Sequence, residues 1–401
     1  MIILKRSPLD GTKPLYSNNA RKIQWGSFQS RSKTNSLQRI RLLKHIMSIE
    51  NTSTPSKENT TSCPPIHDKL HRLWERGRSF LGSEYAILGG AMTWVSDKNL
   101  VSAISNAGGF GVLACGAMTP DLFKNEILET KKQTSKPFGA NIITLHPQFQ
   151  ELMDILIETK VTHAVLGGGL PPTWAIAYLQ QHGIRVLCFA PALVIAKKLI
   201  KNGVDALILE GMEAGGHIGP VSTSVLAQEI LPILSQTLPI FIAGGIGRGE
   251  AIVSYLEMGA AGCQLGTRFV CAFESRAHPH FKRAFIQANA RDAIVSIQID
   301  SRFPVIPVRA LANGATKAFL ETQRKTIDKF NEGLLDQKSA QLEIEHFWAG
   351  TLRRAVIDGD IETGSLMAGQ SVGMVEKEQS TQEIIQELLD QASGVFAARQ
   401  N

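Results

Sequence analysis

Between residues 76 and 275, short apolar runs alternate with longer stretches whose apolar residues recur at helical spacing. The runs are Tyr85–Leu88, Phe110–Cys115, Phe138–Ile143, Thr162–Leu166, Arg185–Phe189, Ala206–Leu209, Ile240–Ala243 and Gly262–Leu265. Their starts recur roughly every 20–35 residues, the length of a βα unit. Each run is nearly continuous in apolar residues, which marks strands covered on both faces in a parallel sheet. The stretches between them carry helix punctuation. Thr119 before Pro120 is an N-cap followed by proline at the first helical position. Leu122, Phe123, Ile127 and Leu128 then gather near one face. Ile252, Tyr255 and Leu256 form a second stripe, which Gly259 can end. Eight such units predict a closed (β/α)₈ barrel. A doubly wound open sheet is the alternative, but its GxGxxG after the first strand is absent.

Residues 275–401 change character. Candidate helices are Phe281–Ala290, Thr316–Asn331, Leu342–Ile357 and Thr381–Ala397, with the Gly-rich, irregular Gly364–Met374 between the last two. This pattern predicts a mainly helical accessory region packed on the barrel, a candidate lid. Residues 1–72 are polar, basic and without periodicity, so disorder is expected there. The division is a basic N-terminal extension (1–72) and a barrel with its accessory region (73–401). Three readings of residues 1–46 stay open: translation that starts at Met47, a genuine tail, or an Arg- and Ser-rich organellar targeting segment.

The net charge of +6 belongs to that extension. Residues 1–50 hold ten Lys or Arg against Asp10 and Glu50, a net +8, which leaves −2 for the remainder. A nucleic-acid footprint needs a basic face on the folded domain, so no nucleic-acid partner is expected. Cys63, Cys115, Cys188, Cys263 and Cys271 show no paired spacing and read as thiols in a reducing, cytoplasmic setting. No apolar run approaches the ~18 residues of a membrane span, so no membrane partner is expected.

Barrels of this kind place chemistry at the C-terminal ends of their strands. Those ends read Gly89-Gly90-Ala91-Met92, Gly116, Asn141, Gly167-Gly168-Gly169, Pro191, Glu210-Gly211, Gly244-Gly245 and Gly266-Thr267. Most are small or polar and suit a flat ligand. The seventh and eighth ends are where barrels commonly bind phosphate. Ala243–Gly247 can present bare N–H groups, a helix starting near Glu250 turns its positive end the same way, and Gln264–Thr267 adds N–H groups and a hydroxyl. After the sixth run comes Glu210–Gly219, EGMEAGGHIG. His217 has few side chains to bury against in so Gly-rich a loop and is the candidate acid, base or donor. The other nine histidines read as structural, and Glu213 as a loop-shaping carboxylate. No Ser-His-Asp arrangement and no metal-ligand spacing is present. Chemistry without a protein nucleophile or metal points to a cofactor.

EGMEAGGHIG, Ala243–Ile246 (AGGI) and Gln264–Phe269 (QLGTRF) resemble the flavin-dependent nitronate monooxygenases, formerly 2-nitropropane dioxygenases. That superfamily includes the FMN-type enoyl-acyl-carrier-protein reductases. Gly89–Trp94, Ser105–Gly111, Lys136–Asn141, Glu274–Pro279 and Gly364–Val372 extend the resemblance over residues 80–390. It implies FMN in the barrel mouth. Gly90, Ala91 and Met92 would lie beside the isoalloxazine, and Asn141 and Glu210 would meet the ring or ribityl chain. Gly215 and Gly216 would pack near the flavin. Gly244, Gly245, Gly266 and Thr267 would bind the phosphate with Gln264 nearby, and His217 would be the catalytic residue. The first implied activity is oxidation of alkyl nitronates with O₂ to carbonyl compounds and nitrite. The second is reduction of an enoyl thioester, or of a quinone, with NAD(P)H as co-substrate. The expected partner is thus a small molecule, a nitronate or an enoyl thioester, and a homodimer is the candidate assembly. A non-catalytic flavin-binding or interaction protein is the distant alternative.

Overall fold

Continuous apolar runs three to five residues long form the barrel staves because both faces of each must be covered. The structure is a computed structural model and describes residues 66–399. Strands β1 (Ile87–Gly89), β2 (Phe110–Ala114), β3 (Gly139–Ile143), β4 (His163–Gly167), β5 (Arg185–Phe189) and β6 (Ala206–Glu210) follow in order. A two-residue strand, β7 (Gly216–His217), stands outside the barrel, and β8 (Ile240–Ala243) and β9 (Gly262–Leu265) complete it. All neighbours are parallel, and β9 pairs with β1 to close the ring, Leu88 opposite Gln264. All eight runs expected from the sequence are barrel strands, and the (β/α)₈ architecture is the one observed.

Helices lie between successive strands, capped as their sequences dictate. The Thr119 hydroxyl accepts from Leu122 N ahead of Pro120–Gln133, and the Asp97 carboxylate accepts from Asn99 N and Leu100 N ahead of Lys98–Asn106. The N-terminal end of the barrel is plugged by the helix Glu75–Leu81. Its Phe80 ring packs against His163 and Phe241, at 5.3 and 6.1 Å between centroids. The Phe80 carbonyl meets His163 Nε2 at 2.9 Å. Burial holds that imidazole down to about 4, so His163 is a neutral structural residue at the end away from the strand termini that carry chemistry. This plug corrects one boundary. Order was expected to begin at residue 73, but a helix already spans Ile66–Leu73, with Leu70 and the adjoining Trp74 buried in the core. Leu70, Leu73 and Trp74 make too short an apolar pattern to stand out as periodicity. Residues 1–65 of the basic extension, Cys63 among them, lie outside the described residues.

The accessory region needs a second correction. Helices occupy Pro279–Gln287, Gly314–Asn331, Gln337–Arg353 and Thr381–Ala398, close to expectation. The region also contributes two strands, β10 (Ala293–Val295) and β11 (Val308–Leu311), which form an antiparallel sheet of order β10-β11-β7. Beyond it lies a separate small apolar cluster that includes Phe303, Val308, Phe319, Ile344 and Trp348. The last helix docks on the barrel. Leu388, Ile385 and Ala392 join the main core, and the Gln391 side chain accepts from Gly249 N at 2.8 Å.

Because Leu388 is fully buried there, Leu388→Ala should lower unfolding stability by about 2–5 kcal/mol. Urea denaturation followed by circular dichroism checks this, and a change below about 1 kcal/mol would mean the helix is not part of the cooperative core.

Candidate active site

The strand register gathers the sequence-derived residues at one end of the barrel. β1 and β9 are neighbours, so Gly90 N donates to Leu265 O at 2.8 Å and the Gln264 side chain lies against Gly90. The turn after β1 is pinned by Ser96, whose hydroxyl donates to Gly90 O (2.8 Å) and accepts from Met92 N (3.0 Å). Met92 packs beside Gly266. Gly90, Ala91, Met92, Gln264 and Gly266 therefore form one wall. Asn141, buried on β3, donates through Nδ2 to Val165 O at 2.8 Å, which leaves Oδ1 free to accept.

The Gly244–Gly245 turn ends β8. Both residues have positive φ, +101° and +74°, a backbone state that side chains other than glycine adopt at a cost. No hydrogen bond among the described residues engages the N–H groups of Gly245 and Ile246. Thr267 accepts Gly369 N at 2.9 Å, so its own hydroxyl proton can still be donated. Gln264 Oε1 is buried without any partner, a condition that native interiors rarely tolerate unless a ligand or water completes it. Free N–H groups at a tight glycine turn, a donor hydroxyl and an orphaned amide oxygen fit a group with a phosphate at one end and a polar planar ring. Among the described residues, no cluster of three His, Cys, Asp or Glu side chains could hold a metal ion.

The loop after β6 is built by its neighbours. The Glu213 carboxylate accepts both Thr223 N (2.6 Å) and the Thr223 hydroxyl (2.7 Å), at the start of the helix Thr223–Leu234. A carboxylate at a helix N-terminus is stabilised there, so Glu213 shapes the loop as expected. Gln370 N donates to Glu213 O at 3.0 Å. A Cβ at Gly215 would stand 2.4 Å from Gly369 N. The need for glycine at 215 thus arises from the backbone of residues 368–369, a contact the sequence did not reveal. On the other side, β7 pairs with β11, Gly216 opposite Arg309 and His217 opposite Val308. The buried Arg309 guanidinium donates to Met212 O at 2.9 Å and also to Ala293 O, tying the loop to the small sheet. Arg309 and Gly369 are the site-building residues the sequence reading missed. The proline-flanked VRAL and the irregular MAGQS were their faint signals.

Residues opposite each other in an antiparallel pair share a face. His217 therefore shares the face of Val308, Ala310 and Ile294, turned toward the accessory helices, while Gly216 and Arg309 face the barrel loops. Glu210 is half-buried and His217 exposed, yet both are surrounded by protein on most sides, as at the wall of a recess. Desolvation governs their charging. It pushes the Glu210 carboxyl up to about 8. It holds the His217 imidazole below its ordinary value, with Glu345 acting in the opposite sense. Both groups are thus predominantly neutral near pH 7. The described cysteines Cys115, Cys188, Cys263 and Cys271 are free and buried, with their thiols pushed up to about 12 or above. His146 shapes a loop, its Nδ1 accepting Gln148 N.

The sequence model of the nitronate monooxygenase family matches residues 76–156 and 147–391. The chain is 29% identical over 331 residues to the (3aS,4S,5R,7aS)-5-hydroxy-7a-methyl-1-oxo-octahydro-1H-indene-4-carboxyl-CoA dehydrogenase of Mycobacterium tuberculosis, an alignment that covers 77% of this chain and 93% of that protein. It is 30% identical over 287 residues to the nitronate monooxygenase of Paraburkholderia phytofirmans, covering 59% and 76% of the two chains. FabK of Thermotoga maritima superposes with a TM-score of 0.72 at 34% identity, over 81% of this chain and 98% of that one.

The Glu210 environment makes stability depend on pH. Unfolded, its carboxyl loses the proton near 4.5; folded, it keeps it up to about 8. In that window the folded protein binds the extra proton, so stability falls as pH rises. The unfolding free energy of the cofactor-free protein should decline relative to that of Glu210→Gln across the window. Parallel curves for the two proteins would show that Glu210 is ionised in the fold.

Proposed function

The chain belongs to the nitronate monooxygenase family, an oxidoreductase family, and from that premise we propose that it is an FMN-dependent oxidoreductase whose first substrates are alkyl nitronates. The observation that carries the cofactor assignment is the orphaned Gln264 Oε1 against Gly90, together with the free N–H groups of the Gly244–Gly245 turn on the neighbouring strand. FMN, when bound, supplies one- and two-electron redox chemistry. The N–H groups of Gly245 and Ile246, with the Thr267 hydroxyl, would bind its phosphate. Gly90, Ala91 and Met92 would floor the ring, with Gly266 and Gly244 letting backbone approach closely. Gln264 Oε1 would accept a hydrogen bond, Asn141 Oδ1 another, and the protonated Glu210 carboxyl would donate one. Gly215 and Gly216 would place His217 at the edge of that ring.

His217 then acts on the substrate. Its neutral imidazole can donate N–H to a nitronate oxygen. The expected products with O₂ are a carbonyl compound and nitrite. A second reading, reduction of an enoyl thioester with NAD(P)H, is favoured by the 34% identity to FabK, an enoyl-acyl-carrier-protein reductase, and by the resemblance to a relative named for an acyl-CoA substrate. In that reading His217 donates the proton that accompanies hydride addition. A quinone is the remaining candidate acceptor. Among the described residues, no helix is long and apolar enough to cross a membrane.

Anaerobic mixing of the FMN-loaded protein with each reductant tests the choice. Rapid loss of flavin absorbance with propyl-2-nitronate, and none with NAD(P)H, is expected. Fast bleaching by NAD(P)H alone would overturn the nitronate reading in favour of the thioester one. His217→Ala should keep its FMN and lose about 10²–10⁴-fold in turnover. Unchanged turnover would remove His217 from the mechanism.

A further inference from the structure

The Gly244–Gly245 and Gly266–Thr267 turns end neighbouring strands, β8 and β9, which pair Ala243 with Gln264. A phosphate held by both turns needs a fixed spacing between them. Each turn runs on into a helix, Gly249–Glu257 after the first and the short Thr267–Val270 after the second. The last helix, Thr381–Ala398, reaches both of these elements. At the first, its backbone lies so close that a Cβ at Gly249 would collide with Leu388 O and Ala392 N. At the second it meets Arg268, the buried residue next to Thr267.

One chain of hydrogen bonds joins the two contacts, with Glu387 at its centre. Arg268 Nη2 donates to Glu387 Oε2 at 2.7 Å, and Nη1 donates to Gln379 Oε1 at 3.3 Å. Gln379 Nε2 donates in turn to Glu387 Oε2 at 3.0 Å. The other carboxylate oxygen, Oε1, accepts from Gln391 Nε2 at 3.1 Å, and Gln391 Oε1 accepts from Gly249 N at 2.8 Å. Each amide is thus oriented by the carboxylate at one end and a donor at the other. Gln379 is also held through its backbone, its carbonyl accepting Phe273 N at 2.8 Å. A buried guanidinium is costly unless it is paired, and Glu387 is the carboxylate that pairs with Arg268. Without that carboxylate, Arg268 loses its counter-charge and Gln391 is free to turn away from Gly249.

We propose that Glu387 is a positioning residue for the cofactor phosphate: through Arg268 it fixes Thr267, and through Gln391 it fixes the helix that follows Gly244–Gly245. The proposal rests on the assignment of those two turns to the FMN phosphate. Glu387 acts through these two elements and not through the flavin ring, so its effect is confined to the phosphate end of the ligand. Small displacements of such supporting groups are enough to loosen a site.

The full chain, stripped of flavin, is titrated with FMN and with riboflavin, which lacks the phosphate, and binding is read from the change in flavin fluorescence. The wild type should bind FMN more tightly than riboflavin. Glu387→Ala should weaken FMN binding about tenfold, the worth of one hydrogen bond to a charged group. It should leave riboflavin binding unchanged, a split that general loosening of the fold does not produce. Gln391→Ala breaks the Gly249 arm alone and should weaken FMN binding about threefold. It carries the test if Glu387→Ala does not fold. A preference for FMN kept in full by every folded variant, or an equal loss for FMN and riboflavin, would overturn the proposal and leave the phosphate anchor standing. A wild type that binds FMN no better than riboflavin would overturn the anchor and the proposal with it.

Discussion

A two-residue strand cannot hold itself in place, and Gly216–His217 is such a strand. Its loop carries glycine at positions 211, 215 and 216, each of which widens the conformations open to the unfolded chain. The loop takes one shape because three separate contacts leave it no other. The β11 backbone pairs with it on one side. Arg309 reaches through the sheet to Met212 O. The backbone of residues 368–370 presses on the opposite side, with Gln370 N bonded to Glu213 O. All three come from beyond residue 300. The accessory region is therefore structural to the site, and the position of the imidazole follows from it.

The same enclosure sets the charge state of the mouth. Glu210 ends a barrel strand and His217 lies seven residues later, on either side of that constrained loop. Protein on most sides raises the cost of charging each, so a carboxyl holds its proton and an imidazole declines one. A neutral carboxyl at the end of β6 and free backbone N–H groups at the glycine turns would suit a phosphate-anchored ring.

The barrel was readable in the sequence because its strands are buried on both faces, so each announces itself as a continuous apolar run. The glycine turns and His217 were readable for a related reason: they interrupt those runs at their C-terminal ends. The small sheet was not. Val308–Leu311 has no alternation to speak of, its burial being imposed by the barrel on one face and Phe319 and Trp348 on the other, and Pro304 and Pro307 mask its start. Ile66–Leu73 escaped notice because Leu70, Leu73 and the adjoining Trp74 make too short an apolar pattern to stand out. The resemblance implied only that Gly215 packs near the flavin; that it must be glycine follows from the Gly369 backbone 154 positions later, a fact of folding. His217 was expected at the mouth; the register shows that it also turns toward the accessory helices.

The glycine turns of β8 and β9 and the Gln264 amide are proposed to form an FMN anchor. The most direct measurement is the flavin released by denaturing the purified, FMN-reconstituted chain, read against protein concentration for the wild type and Gln264→Ala. About one FMN per chain is expected for the wild type, with a clear loss of affinity when the orphaned amide is removed. A folded wild-type protein that retains no FMN after reconstitution would contradict it.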